Sequence, residues 1–260
     1  MRLIYVLLVS FLALTACGQV DELLNKDETE KTDQVVHQPA ADSETERLTA
    51  QEKLALELPA NADLDDWNLI LVNPWEALPS EFDPNLVVVM NEQQIDSRIT
   101  QAWEDWYKAA LDAGHQLFFA SGHRTVERQS SNFNRTYDNY LSEGYSEEEA
   151  LLKTKEYLTE PGHSEHHTGL AFDLLDQQWV ASGRTLEPDY DTQASQQWLV
   201  DTMSDYGFIL RYPKGKEEIT GIQYESWHFR YVGEEHARFM ELHDLVLEEY
   251  IELIKLRDEM

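Results

Sequence analysis

Apolar residues fall into two rhythms along this chain. Ile95, Ile99, Ala102, Trp106 and Ala110 recur at the spacing of one helical face, and Gly114 follows as a stop. Ser146 with Glu149 three residues on forms a capping box that opens a helix over "SEEEALLKTKEYL". Gln193–Tyr206 reads as a helix closed by Gly207. Glu234–Arg257 reads as one long acidic amphipathic helix, with Phe239, Leu242, Leu245 and Tyr250 facing the body. Between these lie short apolar runs bounded by turn residues, which predict strands. They are "WNLILVN" (Trp67–Asn73), "QLFFA" (Gln116–Ala120), "LAFDLL" (Leu170–Leu175), "FILRY" (Phe208–Tyr212) and "HFRYV" (His228–Val232). Helices and strands mix without a β-α-β rhythm, so the predicted class is α+β. There is no internal repeat and no glycine-rich phosphate loop.

The first residues follow another pattern. "MRLIYVLLVSFLALTAC" has Arg2, an apolar run from Leu3 to Ala16, and small residues before Cys17. A charged start, an apolar centre and a small-residue end define a secretory leader, and the run is short for a membrane span. Cys17 is the only cysteine, so no internal disulfide forms. "LTAC" resembles a bacterial lipobox, which implies a leader over residues 1–16 and lipidation of Cys17. Residues 17–52 are polar, acidic and nearly free of aromatics, a composition that cannot offset its own ordering entropy. They are expected to form a disordered tether, followed by one domain over residues 53–260. A flexible coil of this length reaches on the order of 30 Å.

Composition bounds the function. The chain has 260 residues, 42% of them hydrophobic, with seven Trp, which is enough for a real core. Fifty acidic against 20 basic residues leave a net charge of −30, which argues against nucleic-acid partners. The same charge makes a soluble, self-repelling surface.

The candidate chemistry lies in "PGHSEHHTGLAFD", Pro161–Asp173, which crowds three histidines and two carboxylates around a glycine. A catalytic zinc takes three protein ligands, often His and carboxylate, and keeps a fourth position for water. Gly169 lets the chain turn so that a loop histidine and the strand residue Asp173 converge. Spacing alone leaves His163, His166 and His167 as alternatives. "ESWHFRY" offers a third ligand in His228, with Glu225 three residues before it as a proton carrier for an activated water.

"SGHRTVERQ", "SEHHTGLAFD", "FILRYPKGKEEITG" and "ESWHFRYVG", in that order, resemble the VanY-type D-alanyl-D-alanine carboxypeptidases, in the zinc peptidase group that includes VanX-like dipeptidases. The resemblance spans about Trp67 to Tyr250. It matches Ser-x-His-x-x-Gly-x-Ala-x-Asp in full, at Ser164, His166, Gly169, Ala171 and Asp173. It implies one zinc ion on His166, Asp173 and His228, with Glu225 as general base and acid. Arg124 would meet substrate charge, and Gln129 and Ser164 would line the substrate pocket. It also implies a small antiparallel sheet flanked by helices. Two positions depart from the family pattern, His123 where Tyr is common and Ser226 where Pro is common. Both bear on substrate preference rather than on the ligands.

The implied reaction is hydrolysis of the last peptide bond of peptidoglycan stem peptides, by a monomer tethered through lipid to the outer face of a bacterial membrane. Two other readings compete. An L,D-carboxypeptidase would trim tetrapeptide stems with the same motifs. A non-catalytic wall-binding lipoprotein would have no use for a carboxylate at Glu225. No Ser-x-x-Lys occurs, so a serine-dependent penicillin-binding mechanism is excluded.

Overall fold

The computed structural model describes residues 48–260. The leader, Cys17 and most of the predicted tether lie outside the described residues. In chain order, α1 (Ala50–Leu56) precedes a hairpin of β1 (Leu86–Val88) and β2 (Gln94–Asp96), then α2 (Thr100–Asp112) and β3 (Leu117–Ser121). Next come α3 (Val126–Ser142), α4 (Glu147–Lys155), β4 (Ala171–Asp176), α5 (Gln177–Ala181), α6 (Ala194–Thr202), β5 (Phe208–Leu210), α7 (Glu217–Thr220) and β6 (His228–Tyr231). Helices α8 (Glu234–Leu242) and α9 (Leu247–Glu259) end the chain.

The larger sheet is antiparallel with order β3-β4-β6-β5. Side chains alternate across a strand, so its register separates two faces. Leu117, Phe119, Phe172, Leu174, Phe208 and Phe229 share the apolar face and pack with Trp103 and Trp106 of α2. Trp103 meets Phe119 edge-on at 5.0 Å, and Trp106 stacks on Phe208 at 4.9 Å. Fully burying side chains of this size stabilises by about 1.5–3 kcal/mol each. The opposite face carries Asp173 on β4, His228 and Arg230 on β6, and Ile209 on β5. One face of the sheet is therefore core, and the other holds polar chemistry.

The α+β class is as predicted, as are α2, α4 and the strands around residues 117–121, 171–176, 208–210 and 228–231. Helix α2 ends in the expected way: Gly114 has φ +89°, and the His115 amide reaches back to the Ala110 carbonyl at 2.8 Å. Ser146 and Glu149 form the capping box of α4. Three expectations need correction. Trp67–Asn73 forms no strand. The Arg230 guanidinium takes the carbonyls of Asn68 (3.0 Å) and Ile70 (2.7 Å), so a side chain occupies the place of a partner strand. The long C-terminal helix is two helices. Asp244 between them adopts a left-handed φ of +51°, and the Leu245 amide bonds the Met240 carbonyl at 2.8 Å. Phe239 and Tyr250 are buried and Leu245 partly so, but Leu242, at the end of α8, is 77% exposed. Helix α3 is not among the predicted elements, although Phe133, Tyr137, Tyr140 and Leu141 recur along it at helical spacing. Gln129 is its only fully buried residue, and Thr125 caps its N-terminus.

Candidate active site

Asp173 and His228 are direct cross-strand partners on the two central strands. His166 comes to them from a single 3-10 turn, Glu165–Thr168, which ends at Gly169 with φ +68°. A side chain at Gly169 would lie 2.9 Å from the Asp96 amide nitrogen, so both the turn and the close approach of β2 require glycine there. The potential ligand atoms of His166, Asp173 and His228 lie within 4.8 Å of one another, and all three residues are buried.

Each imidazole has one nitrogen engaged from behind. His166 Nδ1 donates to the Gly122 carbonyl at 2.8 Å, which leaves Nε2 facing Asp173 Oδ2 at 3.4 Å. His228 Nε2 faces Glu165 Oε2 at 3.4 Å, which leaves Nδ1 facing Asp173 Oδ1 at 3.2 Å. Asp173 Oδ1 is buried and has no hydrogen-bond partner among the described residues. A buried carboxylate oxygen rarely stays unpaired. Two imidazole nitrogens and an orphaned carboxylate oxygen converging on one point fit a zinc ion with an open fourth position.

The electrostatics agree. Burial pushes the Asp173 carboxyl up, but His166 and His228 outweigh it and hold the group well below the usual carboxylate range. Burial, reinforced by Arg124, lowers His166 to about 4, so its ring is neutral at pH 7. Burial also disfavours the His228 cation, yet the Asp173 and Glu165 carboxylates raise it to about 9 in the metal-free site. Glu225 has an oxygen 3.4 Å from His228 Nδ1. Its burial pushes the carboxyl up to about 8, against the pull of His228 and Arg124.

Arg124 enters from the loop after β3. Its backbone N–H donates to the His166 carbonyl at 3.1 Å, and its own carbonyl accepts from His167 Nδ1 at 2.6 Å, which stitches the two loops together. The guanidinium donates to Gln129 Oε1 (2.8 Å) and Ser121 Oγ (3.1 Å) and lies 3.8 Å from Asp173 Oδ2. Gln129 donates onward to the Thr159 carbonyl at 2.6 Å. Ser164 is buried at the cleft wall. His163 and His167 stand outside the trio: His163 bonds the Asn73 carbonyl, and His167 accepts from the Gly162 N–H. The trio, Glu225, Arg124, Gln129 and Ser164 all line one cleft of about 270 Å³, whose other walls include Leu186, Pro188, Ile222 and Trp227.

Sequence reasoning missed Glu165, Arg211 and Arg230, which are fully buried behind His228. For the two arginines part of the signal lay in strand alternation, which the pairing of β5 with β6 completes. Ile209 pairs with Arg230, and Arg211 lies two residues beyond Ile209, so the two arginines share the His228 face. His123 and Ser226 are engaged by backbone, through the Gln94 and Glu187 carbonyls respectively.

Two neutral-capable histidines, a carboxylate and a buried glutamate converging in one cleft define a zinc-dependent hydrolase. The family model for VanY, D-alanyl-D-alanine carboxypeptidase, matches residues 92–234. A D-alanyl-D-alanine carboxypeptidase of Enterococcus faecalis is 35% identical over 189 residues, 73% of this chain and 67% of that protein. The vancomycin-resistance D,D-pentapeptidase VanY, solved in complex with Zn(II), is 35% identical with a TM-score of 0.64, over 72% of this chain and 99% of that one. The LD-carboxypeptidase LdcB is 33% identical with a TM-score of 0.60, over 80% of this chain and 97% of that one. The chain belongs to the VanY D-alanyl-D-alanine carboxypeptidase family, and it is a zinc carboxypeptidase.

Proposed function

We propose that the chain uses one zinc ion, held by His166 Nε2, Asp173 and His228 Nδ1, to remove the terminal D-alanine from D-Ala-D-Ala stem peptides of peptidoglycan. The observation that carries this reading is the convergence of the trio, Glu225 and Arg124 in one cleft. Zinc bound there supplies Lewis acidity, which polarises the scissile carbonyl and brings the pKa of a water from about 15.7 toward neutrality. Glu225 takes the water proton and returns it to the leaving amine, so no acyl-enzyme forms. It must be ionised to begin, and a dication beside it favours that form. Arg124 presents a planar fork to substrate oxygen, either the terminal carboxylate or the oxyanion that develops at the carbonyl. The Gln129 amide is spent on Arg124 and the Thr159 carbonyl, so it acts on substrate by steadying Arg124. Ser164 contributes to the pocket wall, and Leu186, Pro188 and Trp227 offer apolar surface suited to alanine methyl groups.

A second reading is supported by the similarity to LdcB, an LD-carboxypeptidase. In that case the scissile bond would join an L-centre to D-alanine in a tetrapeptide stem. Under either reading the work is done at the cell wall by a monomer. Lipid on Cys17 would hold it on the outer membrane face, with residues 18–52 as the spacer. Among the described residues no helix is long and apolar enough to cross a membrane. The ligand assignment is tested by metal analysis of purified protein. About one zinc per chain is expected, and His166→Ala and His228→Ala should each lose both zinc and peptidase activity. Full zinc occupancy in either variant would sink the assignment.

A further inference from the structure

Behind His228 lies a group of charges that the proposed reaction does not use. Glu165, Arg211 and Arg230 are all at most 1% exposed. Glu165 Oε1 accepts from Arg211 Nε (2.8 Å) and from an Arg230 guanidinium N–H (2.7 Å). Both arginines grip the same oxygen, so the carboxylate is fixed in rotation with Oε2 turned toward His228 Nε2, 3.4 Å away. Arg211 also forks onto both oxygens of Glu248 on α9, at 2.8 and 2.6 Å. Glu248 in turn accepts from the Asn73 side chain at 3.1 Å. Arg230 is anchored by the carbonyls of Asn68 and Ile70. Buried ion pairs are poor sources of net stability, because desolvation offsets their attraction. Their use here is more specific.

We propose that Glu165 is a positioning residue of the metal centre. Its carboxylate keeps a proton on His228 Nε2 so that Nδ1 presents its lone pair to the metal, and Arg211 and Arg230 hold that carboxylate in place. A neutral imidazole carries its proton on one nitrogen only, so an acceptor at Nε2 determines which nitrogen coordinates. His166 receives the same service from a neutral carbonyl, that of Gly122. A carboxylate is the stronger acceptor and makes His228 the more basic of the two rings. Through Arg211 and Glu248, the C-terminal helix becomes part of the frame that orients a ligand.

The proposal rests on the reading of His228 as a ligand. Undiminished zinc binding by His228→Ala would remove that reading, whereas the experiments below leave His228 intact and address Glu165. Zinc affinity is measured by competition with a chromogenic chelator for the unaltered protein, Glu165→Gln and Glu165→Met. Both substitutions remove the charge and the acceptor at Nε2. The two arginines hold the Gln oxygen at the place of Oε1, so its amide N–H faces Nε2, whereas Met leaves that nitrogen without a polar partner. Both variants should lose roughly 10–100-fold in zinc affinity, the Gln variant at least as much as the Met variant. A Gln variant that binds zinc as tightly as the unaltered protein would overturn the proposal. A second measurement needs no variant. Long-range proton–nitrogen correlation spectra of the zinc-loaded protein should find His228 protonated at Nε2 and metal-bound at Nδ1. The opposite tautomer would also overturn it.

Discussion

His228 and Glu225 lie within 3.4 Å of each other, and each is displaced upward in the metal-free site, to about 9 and about 8. The sign of the consequence follows directly. A protonated His228 cannot bind metal through Nδ1, so below about 9 the cation must displace a proton. His166, lowered to about 4, is already free at neutral pH and adds nothing in this window. Zinc affinity is therefore expected to rise at least roughly tenfold per pH unit between pH 5 and 8, with one proton released per ion from His228 and a second wherever Glu225 ionises beside the metal. Calorimetry in buffers of different ionisation enthalpy reads the proton count. Affinity that is flat over this range would mean that His228 is not the proton-bearing ligand. The trio and Glu225 were legible in the sequence because they sit in two short motifs that match a family pattern; spacing alone left His163 and His167 beside His166. Glu165 was not, although it lies inside one of those motifs. Its role depends on Arg211 and Arg230, which only the register of β5 and β6 brings behind His228.

Elements were legible where burial imposes a period and illegible where side chains replace it. Helix α2 and strands β4 and β6 bury one face or both, so their apolar spacing declares them. Helix α3 buries only Gln129 fully; Phe133, Tyr137, Tyr140 and Leu141 keep helical spacing but are half-buried among polar residues, and sequence reasoning missed the run. The Trp67–Asn73 run is apolar because Leu69 and Val72 are buried, but its carbonyls go to Arg230 rather than to a strand. The break between α8 and α9 turns on one residue, Asp244, whose φ of +51° is costly for most side chains. Aspartate tolerates this conformation better than a β-branched residue, and glycine best of all. Asp244→Gly should leave stability unchanged or raised, while Asp244→Val should be less stable by about 1–2 kcal/mol, with a correspondingly lower unfolding midpoint. Thermal melts of the two variants check the order. A Val variant as stable as the Gly variant would mean that the left-handed turn does not limit this junction.

At the scale of the whole molecule, a folded body from about residue 50 onward follows an acidic segment and a lone cysteine. A single acyl chain binds membranes only marginally, and stable anchoring takes more than one. If Cys17 is the attachment point, Cys17→Ala should move the full chain from the membrane fraction to the soluble or secreted fraction. Unchanged partition would point to the Leu3–Ala16 run as the anchor. The net charge of −30 makes the surface repulsive to other anions; on the proposed reading, the cationic fork of Arg124 lining the cleft would draw a C-terminal carboxylate in.

The central claim is tested most directly by mass analysis of products. The zinc-loaded protein is incubated with synthetic penta- and tetrapeptide stems, with and without a chelator, beside Glu225→Gln. The expected result is loss of one D-alanine from the pentapeptide and little from the tetrapeptide. The reaction should be abolished by chelation and restored by zinc. Glu225→Gln should retain its metal but be slowed by about 10²–10⁴-fold. Preferential trimming of the tetrapeptide would favour the L,D reading. Cleavage that survives full zinc removal, or a near-normal rate in zinc-loaded Glu225→Gln, would contradict the account.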